Sequence, residues 1–149
     1  MNHVDLTMSA PGELMTPGAS LPQRLSPYVL SIARIVVGLI FLEHGFSKLF
    51  GFPQPGHLPD FLTLIWFAGA LEFLGGILLT LGVFTRPVAF IVSGEMAFAY
   101  FLSHAPRGFF PILNGGDAAI LYCFFFFYLA FAGGGPLSGD ALIWRRRSP

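Results

Sequence analysis

Four long apolar stretches dominate this sequence, and each of them carries at least one ionisable residue. They run over residues 28–50, 61–83, 87–105 and 117–134. Each stretch is close to the ~20 residues that an α-helix needs in order to cross ~30 Å of hydrocarbon. The pattern therefore predicts an all-α protein, a four-helix transmembrane bundle surrounded by the lipid bilayer.

The composition favours the same class of protein. Hydrophobic residues make up 54% of the chain and charged residues 11%, whereas soluble domains carry about 25% charged residues. A soluble fold of 149 residues could not bury this much apolar surface, so lipid has to cover the remainder. The net charge of zero argues against a nucleic-acid partner, which would need a basic face. The single cysteine excludes an intrachain disulfide and a metal centre built from cysteines.

The two ends of the chain differ from the apolar stretches. Residues 1–27 contain four prolines and little periodicity, which predicts a disordered or loosely packed cytoplasmic tail. A bundle domain follows over residues 28–136, and residues 137–149 form a basic cytoplasmic tail. Four crossings would put both termini on one side of the membrane. That side holds Arg24, Arg86 and the C-terminal arginines, so the positive-inside rule places both termini in the cytoplasm.

Four charged residues lie inside the apolar stretches, namely Arg34, Glu43, Glu72 and Glu95. A charge near the centre of a membrane helix costs about 2.5–3.5 kcal/mol, so it marks a hydrated or paired interior. At 100° per residue, Arg34 and Lys48 share a glycine-lined face of the first helix, and Glu43 falls on the opposite side. Glu72 lies on a glycine-rich face of the second helix, and Glu95 lies at mid-depth in the third. The spacing predicts that the Arg34 side chain reaches toward Glu72 or Glu95.

Further polar residues gather in the outer third of the predicted bundle, namely His44, Lys48, His104, Arg107, Asn114 and Asp117. We expect a polar pocket that opens to the extracytoplasmic side, with Glu72 and Glu95 at its floor. The alternative is a buried ion network that only fixes the register of the helices. No short ligand spacing supports a metal site, and no flavin, haem or iron–sulfur motif is visible.

Several short motifs resemble the DoxX family of membrane proteins. In chain order they are Arg34-Ile-Val-Val-Gly38, His44-Gly45-Phe-Ser-Lys48-Leu, Glu72-Phe-Leu-Gly75-Gly76-Ile, Leu81-Gly82-Val-Phe-Thr85-Arg86, Asn114-Gly115-Gly116-Asp117 and Gly135-Pro136-Leu-Ser138-Gly-Asp140. Each motif is weak alone, but their order along the chain is specific. The resemblance covers residues 31–141 and leaves the N-terminal tail outside.

The resemblance implies a four-helix bundle in a bacterial or archaeal plasma membrane. Founding members of the family are linked to thiosulfate oxidation with quinone as the electron acceptor, and other members join oxidant-defence assemblies. This sequence departs from the family pattern at Asp117, where glutamate is common. It also departs at Glu95, where an apolar residue or methionine is expected, so the third helix gains a group that could handle protons.

Together these features favour an integral membrane component of a quinone-linked redox system, which binds a quinone or a small reduced substrate in the outer-facing pocket. Glu72 and Glu95 are the catalytic candidates, as proton-handling groups. The substrate-binding candidates are Arg34, His44, Lys48, Asn114 and Asp117. Two alternatives stay open. One is a non-catalytic membrane anchor or assembly factor for soluble redox or oxidant-defence enzymes, and the other is a small proton-coupled transporter, which would need a homo-oligomer.

Overall fold

The computed structural model of the protein describes residues 20–56 and 58–145, and all regular secondary structure in these residues is helical. The helices are α1 (Leu21–Phe50), α2 (Leu64–Leu81), α3 (Thr85–Ala99), α4 (Pro111–Asn114), α5 (Asp117–Ala132) and α6 (Gly139–Arg145). A π-helical turn and a 3-10 turn extend α3 as far as Arg107. The architecture agrees with the predicted all-α class.

The first helix begins earlier than the sequence predicts. Ser20 precedes α1, and its backbone N–H donates to the side-chain oxygen of Gln23 at 2.8 Å, which satisfies a donor that the helix start leaves free. The helix then continues through Pro27, so residues 21–27 of the predicted tail are helical. The rest of that tail (residues 1–19) and residues 146–149 of the predicted basic tail lie outside the described residues.

Among the described residues, three helical segments are long and apolar enough to cross a membrane, namely Leu21–Phe50, Leu64–Leu81 and Thr85–Arg107. The fourth apolar helix, α5, is shorter. Its 16 residues rise by only about 24 Å at ~1.5 Å per residue. Most large apolar side chains of these helices are exposed, as expected for surfaces that face lipid. The protein is therefore a helical membrane protein with three candidate spans and one shorter apolar helix.

Glycines set the distance between α1 and α2. A Cβ atom added to Gly45 would lie 2.3 Å from the backbone nitrogen of Phe73, and one added to Gly76 would lie 2.6 Å from the Cα atom of Leu42. Glycines at such positions allow two helix backbones to approach closely. At the same contact the side chain of Lys48 lies over Gly69 of α2. A Cβ atom added to Gly69 would lie 2.9 Å from the Cβ atom of Lys48.

Helices α3 and α5 complete the bundle around a small apolar core. The ring of Phe41 on α1 contacts the ring of Phe126 on α5, with centroids 4.7 Å apart. On α3 the buried residues that face this core are Ala89, Val92, Ser93 and Met96. Ile91 and Phe98, which would align with Glu95 on an ideal helix, are exposed. Glu95 therefore lies at the edge of the inward face of α3.

We predict that Gly45→Ala destabilises the protein and that Gly94→Ala does not. Gly94 on α3 has no heavy atom within 4 Å of an added Cβ atom, so alanine there should be neutral or stabilising by about 0.5–1 kcal/mol. Overpacking at Gly45 should cost about 1–3 kcal/mol. Thermal unfolding of both variants in detergent, followed by circular dichroism, checks this. Equal midpoints for the two variants would contradict the close contact of α1 with α2.

Candidate functional site

An ion pair connects the end of α1 with the middle of α2. The Nζ atom of Lys48 lies 2.5 Å from Oε1 of Glu72. The Glu72 side chain is 4% exposed and the Lys48 side chain 35% exposed, so the pair reaches from the surface into the interior. Lys48 also lies in the last turn of α1, where the helix dipole favours a cation.

Glu95 lies close to this pair without bonding to it. It is near enough to Glu72 and to Lys48 for electrostatic interaction. Both carboxyl oxygens of Glu95 and the second oxygen of Glu72 are inaccessible to solvent and have no hydrogen-bond partner among the described residues. A buried polar group without a partner is unfavourable. A proton on one of these carboxyl groups would relieve that cost.

An aromatic residue of α5 borders the same cluster. The ring of Tyr122 lies edge-on to the ring of His44, with centroids 5.7 Å apart. Tyr122 also interacts electrostatically with Glu72 and Glu43. Tyr122 is not among the site residues predicted from the sequence. Its place beside the carboxylates depends on how α5 crosses α1.

A cavity of about 310 Å³ opens beside the last turns of α1. Its lining residues are Ile40, Glu43, His44, Ser47, Lys48, Pro53 and Gln54. The chain reverses at Gly51, whose φ of 68° is in the left-handed region, and the loop returns beside the helix. There the hydroxyl of Ser47 donates to the carbonyl of Gln54 at 3.4 Å. This volume is at the lower end of the range for small-molecule sites.

Glu43 is the charged lining residue to which the sequence reasoning gave no role, and four other lining residues were not predicted either, namely Ile40, Ser47, Pro53 and Gln54. Glu43 lies on the side of α1 opposite the glycine-lined face, so the helical spacing indicated no neighbour for its side chain. The wall that faces it is formed by the loop after α1, and helical periodicity contains no information on where a loop folds. Glu43 is exposed and lines this cavity.

The structure brings together some of the predicted site residues and separates others. His44 and Lys48 line the cavity, and Glu72 lies behind Lys48. Glu72 and Glu95 are not among the lining residues, so they do not form the floor of this cavity as expected. Asn114 is buried, but its side chain forms hydrogen bonds within its own loop. There it donates to the carbonyl of Gly108 at 2.7 Å. Asp117 is exposed at the start of α5. Neither Asn114 nor Asp117 is among the residues that line the cavity.

The expected approach of Arg34 to Glu72 or Glu95 is wrong. Arg34 has no solvent exposure, and its guanidinium donates to backbone carbonyls at the opposite end of the bundle. The acceptors are Leu79, Thr80 (2.8 Å), Gly134 (2.9 Å) and Leu137 (2.6 Å). Two of these carbonyls belong to the last turns of α2, where the negative end of the helix dipole favours a cation.

The segment after α5 closes that end of the bundle. The carboxylate of Asp140 accepts hydrogen bonds from the N–H groups of Phe84 and Thr85, both at 2.8 Å, and so caps the start of α3. A Cβ atom added to Gly134 would lie 2.7 Å from the hydroxyl oxygen of Thr85. The motif that ends in Asp140 therefore has an architectural role in this fold.

We predict that Arg34→Met strongly destabilises the protein, whereas Arg107→Met does not. The first change removes a donor that four carbonyls share, and only those of Leu79 and Gly134 have a second described donor outside the helix pattern. A buried acceptor that loses its donor costs about 1–3 kcal/mol, so losing several such bonds at once should be strongly destabilising. Arg107 is exposed, so its removal should matter little. Thermal unfolding in detergent measures both effects. A similar midpoint for the two variants would show that the guanidinium does not hold the helix ends together.

A second prediction concerns the pair of Lys48 and Glu72. Lys48→Met alone should destabilise the protein, because it leaves the buried Glu72 carboxylate without its partner. The double variant Lys48→Met/Glu72→Gln should regain part of that loss, since no unpaired charge remains. Comparing the midpoints of the two single variants, the double variant and the parent gives the coupling. Strictly additive losses would contradict the ion pair.

Comparison with known proteins supports the assignment that the motifs suggest. The model of the DoxX family matches residues 29–105, which include Arg34, Lys48, Glu72 and Glu95. A protein of Haemophilus influenzae, described only as uncharacterized, is 43% identical over 132 residues, which cover 83% of this chain and 97% of that protein. No solved structure matches the chain. The chain belongs to the DoxX family.

Proposed function

We propose that this protein is an integral component of a quinone-linked redox system in the plasma membrane, and that it binds a quinone head group or a small reduced substrate in the cavity beside α1. One observation carries the proposal. The ion pair of Lys48 and Glu72 begins at the wall of that cavity and ends beside the carboxyl group of Glu95, which has no partner among the described residues.

The lining of the cavity fits such a head group. Ile40 and Pro53 supply apolar surface, while His44 and Lys48 supply donors. Two donors beside apolar surface suit a flat ring that carries carbonyl oxygens. When bound, a quinone supplies an acceptor for electrons and protons. The electrons have to come from a reduced substrate or from a soluble redox partner, because the sequence carries no flavin, haem or iron–sulfur motif.

The protein's own contribution is to hold and move protons. Glu72 accepts a hydrogen bond from Lys48, whereas no described residue donates to Glu95. A proton on Glu95 removes the cost of an unpaired buried charge. Two carboxyl groups in unlike surroundings can take different roles in proton transfer. Protons held there could pass to the cavity along Glu72 and Lys48.

We further propose that α5 completes a fourth crossing and that both termini lie in the cytoplasm. Arg24, Arg86 and Arg145 lie with Arg34 at the end of the bundle that carries α6, while Lys48 and Arg107 lie at the other end. An excess of arginine marks the cytoplasmic end. The cavity then opens to the extracytoplasmic side, and a soluble redox partner would meet the opposite end.

Calorimetric titration of the purified protein in nanodiscs with a short-chain quinone tests the proposal. We expect saturable binding, weakened about tenfold (about 1.4 kcal/mol) by Lys48→Met. Ile40→Phe should weaken binding similarly by filling the cavity, without touching the ion pair. Asp117→Asn is the matched control, because Asp117 is exposed and does not line the cavity.

Two results would count against the proposal. One is the absence of saturable quinone binding in a preparation whose cooperative unfolding shows that the protein is folded. The other is equal affinity for the parent, Lys48→Met and Ile40→Phe, because binding elsewhere on the apolar surface would give that result. Glu72→Gln is a further check, and an unchanged affinity and pH dependence in this variant would remove the carboxylate from the site.

A further inference from the structure

The connection between α3 and α5 presents large apolar side chains to the surroundings. Four residues form what we call the outer apolar patch, and their exposed fractions are Phe109 86%, Phe110 61%, Ile112 82% and Leu113 80%. Leaving apolar surface in water costs about 25 cal/mol per Å². A contiguous patch of this kind marks an interaction surface.

Polar contacts beneath the patch hold it in this orientation. The side chain of Asn114 donates to the carbonyl of Gly108 at 2.7 Å and accepts from the N–H of Gly116 at 2.8 Å. The Nδ1 atom of His104 lies 3.2 Å from the carbonyl oxygen of Asn114. These bonds fix both ends of α4. The apolar side chains therefore cannot turn inward without breaking them.

The neighbouring residues indicate what covers the patch. It adjoins the start of α5, whose Leu121 and Phe124 are 72% and 69% exposed. This helix is about 6 Å shorter than the ~30 Å hydrocarbon layer. Exposed charges flank the patch, with Arg107 before it and Asp117 after it. Such charges keep a segment near the polar boundary of the bilayer.

We propose that the outer apolar patch inserts into the acyl-chain region of the adjacent leaflet and lies there at shallow depth, as interfacial helices do at roughly 5–10 Å. The partner is lipid, because the patch leads directly into a membrane helix whose exposed side chains are apolar and is flanked by charges at both ends. The insertion anchors the short helix α5 at this membrane boundary. The inference does not depend on the proposed redox function.

Tryptophan fluorescence in proteoliposomes tests the depth of the patch. The full-length chain with Trp66→Phe and Trp144→Phe provides a background free of tryptophan. Into it we would introduce either Leu113→Trp, in the patch, or Phe124→Trp, on the exposed face of α5, as the matched control. Vesicles contain lipids brominated either near the head groups or near the chain ends. Iodide reports exposure to water, with N-acetyltryptophanamide in the same suspension as the aqueous reference.

We expect Leu113→Trp to be quenched about two-fold more strongly by the shallow bromines than by the deep ones, and to be shielded from iodide. Phe124→Trp should show a deeper profile. Ile112→Trp repeats the measurement at a second exposed position and should agree. Iodide quenching of Leu113→Trp equal to that of the aqueous reference would overturn the proposal. Shielding from both iodide and bromine would also overturn it, because a second copy of the chain would then cover the patch.

Discussion

The arrangement of the bundle depends on one guanidinium group that has no access to water. Arg34 on α1 donates to carbonyls at the end of α2 and in the segment after α5, so one side chain ties three parts of the chain together. A charged group in this position needs acceptors, and the carbonyls that terminate helices supply them together with a favourable dipole. The residues after α5 can reach the cation because Gly134 and Ser138 pack closely there.

The two ends of the bundle consequently differ in how their polar groups are bonded. At the end that holds Arg34, the described polar groups bond mainly to backbone atoms, and Asp140 caps the start of α3. At the other end, Lys48 pairs with a side chain and borders a cavity. The glycines of α1 and α2 link the two ends, because the same close contact that seats Gly76 also brings Lys48 within reach of Glu72. The bonds of Arg34 to backbone carbonyls and the cavity beside Lys48 therefore lie at opposite ends of the bundle.

Much of this could be predicted from the sequence, where helical periodicity was sufficient. Gly38, Phe41 and Gly45 are buried on α1, and Glu72 is buried on α2, as the spacing indicates. The partners of Arg34 could not be predicted. Helical periodicity of 100° per residue places side chains around one helix, but it does not locate the unpaired backbone carbonyls at the end of another helix. The role of Glu43 was missed for a related reason, since the loop after α1 forms the facing wall of its cavity.

The position of Arg34 also bears on the two interpretations of Glu72 and Glu95, as a buried ion network or as proton-handling groups. A buried network that fixes helix register requires each member to bond to another. Arg34 is saturated by carbonyls, so it cannot serve as counter-ion to Glu95, and the ammonium of Lys48 bonds to Glu72. Glu95 thus makes no described bond that could fix a helix, yet both its oxygens are out of reach of water. A proton on Glu95 would remove the cost of an unpaired buried charge.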